Sequence, residues 1–144
     1  NVRTFQGGGL TYYNLWFSNA TAAGQLSFTG SNTFNDIQAG VEGNAQTLAF
    51  TASTTTTVTT FTVSGASGNL MIIGSITAAN HTLTKAGGGT ISSDYLSISH
   101  STATPADTWY AGANSTDGGN NSGWIFTAPP GGATVSKFAL LGVG

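Results

Sequence analysis

Apolar and polar residues alternate along three short stretches of this chain, and the three stretches read alike. Gln25-Leu26-Ser27-Phe28-Thr29-Gly30-Ser31 returns as Thr47-Leu48-Ala49-Phe50-Thr51-Ala52-Ser53, and again as Asn69-Leu70-Met71-Ile72-Ile73-Gly74-Ser75. In each copy an apolar residue (Leu26, Phe28; Leu48, Phe50; Leu70, Ile72) alternates with a small or polar one. The pattern then breaks at a small residue followed by Ser. A period of two belongs to a strand with one buried face. A return after about 22 residues is the mark of a solenoid, whose coils stack their strands about 4.8 Å apart in parallel sheets. The pattern predicts an all-β fold: a parallel β-helix (β-solenoid) of about five coils.

The rest of the chain fits around this frame. Thr11-Tyr12-Tyr13-Asn14-Leu15 aligns with Thr33-Phe34-Asn35-Asp36-Ile37 at the same spacing, and Phe5 falls where Phe28 and Phe50 stand. Gly7-Gly8-Gly9 supplies the corner between them, where a positive φ costs glycine little. Asn32 to Gly40 predicts a second strand with Phe34 and Ile37 inward. The Thr54–Val63 run predicts a third, since β-branched Thr suits a pleated surface, with Phe61 and Val63 inward. Leu70 to Ile73, Ile76 and Leu83 are assigned to the fourth coil, which closes at Gly87-Gly88-Gly89. Ile91 to His100 again alternates like a strand. The solenoid domain is placed at residues 1–127. Residues 128–144 form a Pro/Gly hinge and a short apolar segment, Ser136 to Val143, expected either to fold back as a cap or to be donated to a neighbour as a strand. In the second case Phe138, Leu140 and Leu141 are the inter-subunit contacts.

Composition narrows the function classes. Charged residues are 6 % of the 144, with a net charge of -2 and three cations, Arg3, Lys85 and Lys137. Three cations do not build a phosphate-tracking groove, so nucleic acid is not an expected partner. The absence of Cys leaves no disulfide frame and no thiolate metal site. No apolar run reaches membrane-spanning length, and no membrane insertion is expected. The first residue, Asn1, follows neither Met nor a signal-like segment, and no polar cap precedes the first coil. Both features read as a processed product or a piece of something longer, with the first coil covered by an upstream domain, further coils or a partner chain.

Candidate chemistry is sparse, and no cofactor is expected. The acids are Asp36, Glu42, Asp94, Asp107 and Asp117. Stacking sets Asp36 beside Asn14 and near Thr60, a polar column rather than the facing carboxylates a glycosidase needs. Asp94, Asp107 and Asp117 either converge on a hard cation in the last coil or accept backbone N–H bonds in turns, and the turn reading is preferred. His81 and His100 lack neighbours at zinc-ligand spacing and are placed at the surface or a strand edge. No serine lies in a nucleophile elbow. No catalytic or metal-binding residue is therefore assigned. Four N-glycosylation sequons begin at Asn19, Asn80, Asn114 and Asn120, no more than this Asn, Ser and Thr content gives by chance. Tyr12, Tyr13, Trp16 and Phe17 crowd the first coil, where alternation cannot bury all four. Tyr13 and Trp16 are candidate surface-binding residues for sugar or protein; the alternative is that the cluster covers the open end of the core.

Asp94-Tyr95-Leu96-Ser97-Ile98 and the ending from Asp117 to Trp124 resemble the closing coil of short β-helical repeats in tailed-phage structural proteins and large bacterial surface proteins. The resemblance covers roughly residues 4 to 127. It implies a right-handed parallel β-helix that is structural or adhesive, and it carries over no catalytic residue. The expected function is a non-enzymatic module of a virion (tail fibre, spike or capsid decoration), homo-oligomeric and by the resemblance trimeric, with other virion subunits and a cell-surface glycan as partners. The alternatives are a bacterial extracellular filament or adhesin subunit polymerising through strand edges, and a polysaccharide-cleaving enzyme on the same scaffold, which the scarcity of acids disfavours. Localisation is virion or otherwise extracellular. Ice binding would need Thr aligned through successive coils, whereas the Thr run lies along one.

Overall fold

The computed structural model describes residues 1–18, 22–41 and 43–131. Among them there is no helix; fourteen strands wind into about five coils. The first three coils carry two strands each: β1 (Val2–Gln6) and β2 (Thr11–Phe17), β3 (Gly24–Thr29) and β4 (Asn32–Gly40), β5 (Gln46–Phe50) and β6 (Thr55–Ser64). The next two carry three: β7 (Met71–Ser75), β8 (His81–Lys85) and β9 (Ile91–Ser92), then β10 (Leu96–Ile98), β11 (Ser101–Thr104) and β12 (Trp109–Tyr110). A partial coil, β13 (Thr116–Asp117) and β14 (Trp124–Ile125), is the last among the described residues. Every ladder is parallel. The sheet orders are β1-β3-β5-β7-β10-β13, β2-β4-β6-β8-β11 and β9-β12-β14.

Stacked identical environments explain the repeated sequence. Phe5, Phe28 and Phe50 are register partners, and the last two rings stack with centroids 4.5 Å apart. Leu26, Leu48, Ile73 and Ile98 form a second inward column through four coils. On the second sheet Leu15, Ile37 and Phe61 stack, as do Phe17, Ala39 and Val63. The predicted pairing of Thr11 with Thr33 and the corner at Gly8 and Gly9, with φ 63° and 76°, are both present.

The third copy of the repeat pairs differently from the expectation. Thr47 faces Ile72, not Asn69, and Leu48 faces Ile73. Residues 65–70 make a tight turn in which Ala66 and Asn69 bridge each other, and this loop absorbs three extra residues. An odd shift turns every side chain to the other face. Met71 and Ile73 are therefore buried, while Ile72 is 40 % exposed. Ile76, assigned to the fourth coil, is exposed, because it follows the end of β7 in the turn to β8. The alternating run Ile91 to His100 is two strands, β9 and β10, separated by a corner where Tyr95 has a φ of 54°.

The C-terminal end narrows. Pairing steps of 22 to 27 residues in the earlier coils fall to 20 from His81 to Ser101, 18 from Ile91 to Trp109, and 15 from Trp109 to Trp124. Trp109 is fully buried, donates its indole N–H to the Thr104 carbonyl (2.8 Å), and meets Trp124 edge-on at 5.2 Å.

Candidate functional site

Strand β2 bends at its middle, and the bend decides which aromatics reach solvent. Tyr13 and Asn14 both face outward, breaking the alternation, so Tyr12, Leu15 and Phe17 turn inward while Tyr13 and Trp16 project from the surface. The same break recurs beneath them at Asn35-Asp36 in β4 and Thr59-Thr60 in β6. Tyr13 is 79 % and Trp16 72 % exposed. Phe17 is buried and Tyr12 packs on Phe34 with ring centroids 5.4 Å apart. Two of the four crowded aromatics thus join the core, and two stand on the outer face of the second sheet.

That outer face is otherwise a hydrogen-bonded ladder. Asn14, Asp36 and Thr60 are in register, as the sequence predicts. Asn35 Nδ2 donates to Asn14 Oδ1 at 2.9 Å, and the Thr62 hydroxyl donates to the Asp36 carboxylate at 3.1 Å. Trp16, Gln38 and Thr62 form the next column. An open depression of about 310 Å³ lies against Trp16, floored by Gln38, Ala39, Thr62 and Val63. A second, about 260 Å³, lies against Tyr13, Asn35 and Thr59.

His81, expected at the surface or a strand edge, is a core residue. It is 1 % exposed, stacks on Phe50 at 4.7 Å, and both ring nitrogens meet hydroxyls: Nδ1 to Ser75 Oγ at 3.1 Å, Nε2 to Ser101 Oγ at 3.0 Å. The direction of these bonds follows from their ends. Trp124 Nε1–H can only donate, and it donates to Ser101 Oγ (3.0 Å). At the other end the Ser75 hydroxyl donates to the His100 carbonyl, so Ser75 Oγ accepts from His81 Nδ1–H and Ser101 offers its own proton to Nε2. The ring is held neutral. Burial lowers its pKa from 6.5 to about 4, opposed by the His100 carbonyl and assisted by the charge of the His100 ring. Sequence reasoning missed this site because its partners lie 6 and 20 residues away, and the only local signal was the inward parity shared with Leu83 and Lys85.

Lys85 is likewise buried, its ammonium donating to the carbonyls of Thr59 (3.0 Å), Ala86 (3.3 Å) and Gly88 (2.8 Å). It ties the glycine turn to β6. Asp94 and Asp117 serve turns. Asp94 accepts from the Tyr95 and Asn114 backbone N–H groups and from Asn114 Nδ2, and Asp117 accepts from Gly119 N and Asn121 Nδ2. Burial pushes the Asp94 carboxyl up, but the Asn114 and Tyr95 bonds outweigh it and hold the pKa below 3.8. Asp107 occupies a turn with φ 64°. Among the described residues no three His, Cys or acidic side chains gather as metal ligands.

Three sequon asparagines are engaged: Asn80 with Thr102 and the Asn120 carbonyl, Asn114 with Asp94, and Asn120 with His100. Phe138, Leu140 and Leu141, together with Glu42 and the Asn19 sequon, lie outside the described residues. No family model, curated protein or solved structure matches this chain.

Proposed function

We propose that the chain is a non-enzymatic structural or adhesive module of an extracellular assembly, and specifically of a tailed-phage virion: a tail fibre, spike or capsid decoration. The observation that carries this reading is the asymmetry of the two ends. At the first coil, β1 and β2 form five- and seven-residue sheet edges with exposed Val2, Leu10, Tyr13 and Trp16 around them. At the other end the outermost strands are the two-residue β13 and β14 and the four-residue β11, with Trp109 and Trp124 packed inside. A long parallel edge is a template for another chain, and a short one is not. The polar groups favour the same reading, since buried His81 and Lys85 and half-buried Asp94 hold corners and coils together rather than facing a cleft.

Light scattering on the full chain tests it. A closed homo-oligomer, a trimer on the virion reading, is the expected mass. Open-ended polymers would move the bacterial filament reading to first place, because the β1 and β2 edges would then accept the next subunit. A persistent monomer would refute both. Incubation with capsular or cell-wall polysaccharide is expected to release no oligosaccharide; release abolished by Asp94→Ala or Asp107→Ala would make the chain an enzyme.

A further inference from the structure

We propose that the outer face of β2, β4 and β6 binds a linear neutral glycan, a chain of uncharged sugars, with Tyr13 and Trp16 as the stacking platforms. This specifies the adhesive part of the reading above and rests on it. A pyranose ring has an apolar C–H face and a rim of hydroxyls. It is matched by an exposed aromatic ring standing beside amide and hydroxyl groups, and this face supplies that combination twice. Trp16 rises beside Gln38 and Thr62, and Tyr13 beside Asn35 and Thr59, each over its own depression. The two platforms sit three residues apart on one bent strand, at most about 10 Å along its backbone, within the reach of a disaccharide. Between them runs the Asn14–Asp36–Thr60 column, a line of acceptors and donors.

Charge selects the class of glycan. Among the described residues Asp36 is the one carboxylate on this face, Lys85 is buried and Arg3 belongs to the other sheet. Among the described residues, an acidic polysaccharide would meet a negative charge and no exposed cation there. Orientation argues against a second copy of the chain as occupant. A strand added to the β2 edge pairs with backbone in the plane of the sheet, whereas Tyr13 and Trp16 project perpendicular to it. Two separate rings set in a polar ladder also lack the continuous apolar centre of a protein interface.

The experiment titrates the 144-residue chain with four neutral probes, namely a cello-, a malto-, a manno- and a galacto-oligosaccharide, with hyaluronate as the acidic control. Calorimetry gives affinity and tryptophan fluorescence the site, because Trp16 is exposed while Trp109 and Trp124 are buried. At least one neutral probe is expected to bind with a blue shift. Trp16→Ala and Tyr13→Ala should each weaken it about tenfold, the loss of one aromatic contact, with unchanged melting temperature, and Trp16→Phe should restore most of it. Binding of none of the four at millimolar concentration, retention of hyaluronate alone, or equal binding by Trp16→Ala would overturn the proposal. So would a change in particle mass on Trp16→Ala, which would make this face a contact between copies. Particle mass in the unaltered chain tests the module reading separately, so either can fail alone.

Discussion

Lowering the pH from 7 to 4 is expected to remove about 3 kcal/mol of folding stability through one side chain, His81. Its pKa is about 4 in the folded chain against an ordinary 6.5, because burial disfavours the imidazolium. Between these values the unfolded chain binds a proton that the folded chain refuses. The contribution is therefore whole above pH 6.5 and is lost as pH falls through the folded value, with about 2 kcal/mol gone by pH 5 and about 3 by pH 4. Asp94, lowered from 3.8, adds its own loss only below that window. Burial causes the refusal, and the hydrogen-bond chain is arranged for the neutral ring. A proton on Nε2 would aim two N–H groups, His81 and Trp124, at the single Ser101 oxygen and displace the serine's own proton. Urea unfolding followed by tryptophan fluorescence at pH 7, 6, 5 and 4 measures the curve. His81→Gln, which keeps an amide donor and acceptor but does not titrate, should start lower at pH 7 and run nearly flat to pH 4.5. A loss in the unaltered chain of under about 1 kcal/mol by pH 4, or an equal slope in His81→Gln, would refute the reasoning.

Two further substitutions test the packing. Phe50→Ala removes a ring 1 % exposed and stacked between Phe28 and His81, and should cost about 3–5 kcal/mol by chemical denaturation. Gly123→Ala should cost more than about 2 kcal/mol, because Gly123 has a φ of 74° and an added methyl would drive into the Ala103 carbonyl oxygen. A melting temperature within a degree or two of the unaltered chain would contradict the register of Thr102 against Ser122.

The early coils were legible because their copies alternate cleanly and their corners hold similar lengths of chain. Leu26-Ser27-Phe28 and Leu48-Ala49-Phe50 each admit one inward parity, so the predicted pairing of Gln25 with Thr47 is the observed one. Leu70-Met71-Ile72-Ile73 is apolar throughout. Such a run fits either parity, and the outcome was settled by the turn at 65–70, whose length the pattern does not encode. At the candidate face, the crowding of Tyr12, Tyr13, Trp16 and Phe17 announced that some rings must be outside, and the aligned Asn14–Asp36–Thr60 column was visible from spacing alone. The bend that leaves both Tyr13 and Trp16 exposed was not, because it appears in sequence only as two polar residues in a row in β4 and β6. His81 was misplaced for a different reason. A buried histidine is marked by the hydroxyls it meets, and in a solenoid those come from other coils.

The shortening of the coils has a geometric consequence. Strand residues advance about 3.3 Å each, so a 27-residue turn can enclose a perimeter of at most about 90 Å and a 15-residue turn about 50 Å. Enclosed area falls with the square of that length, to roughly a third. Two indoles fill what is left, and a still smaller turn would have no interior to line. Over the described residues the winding thus tapers as a cone does toward its tip, with its broad end at β1 and β2.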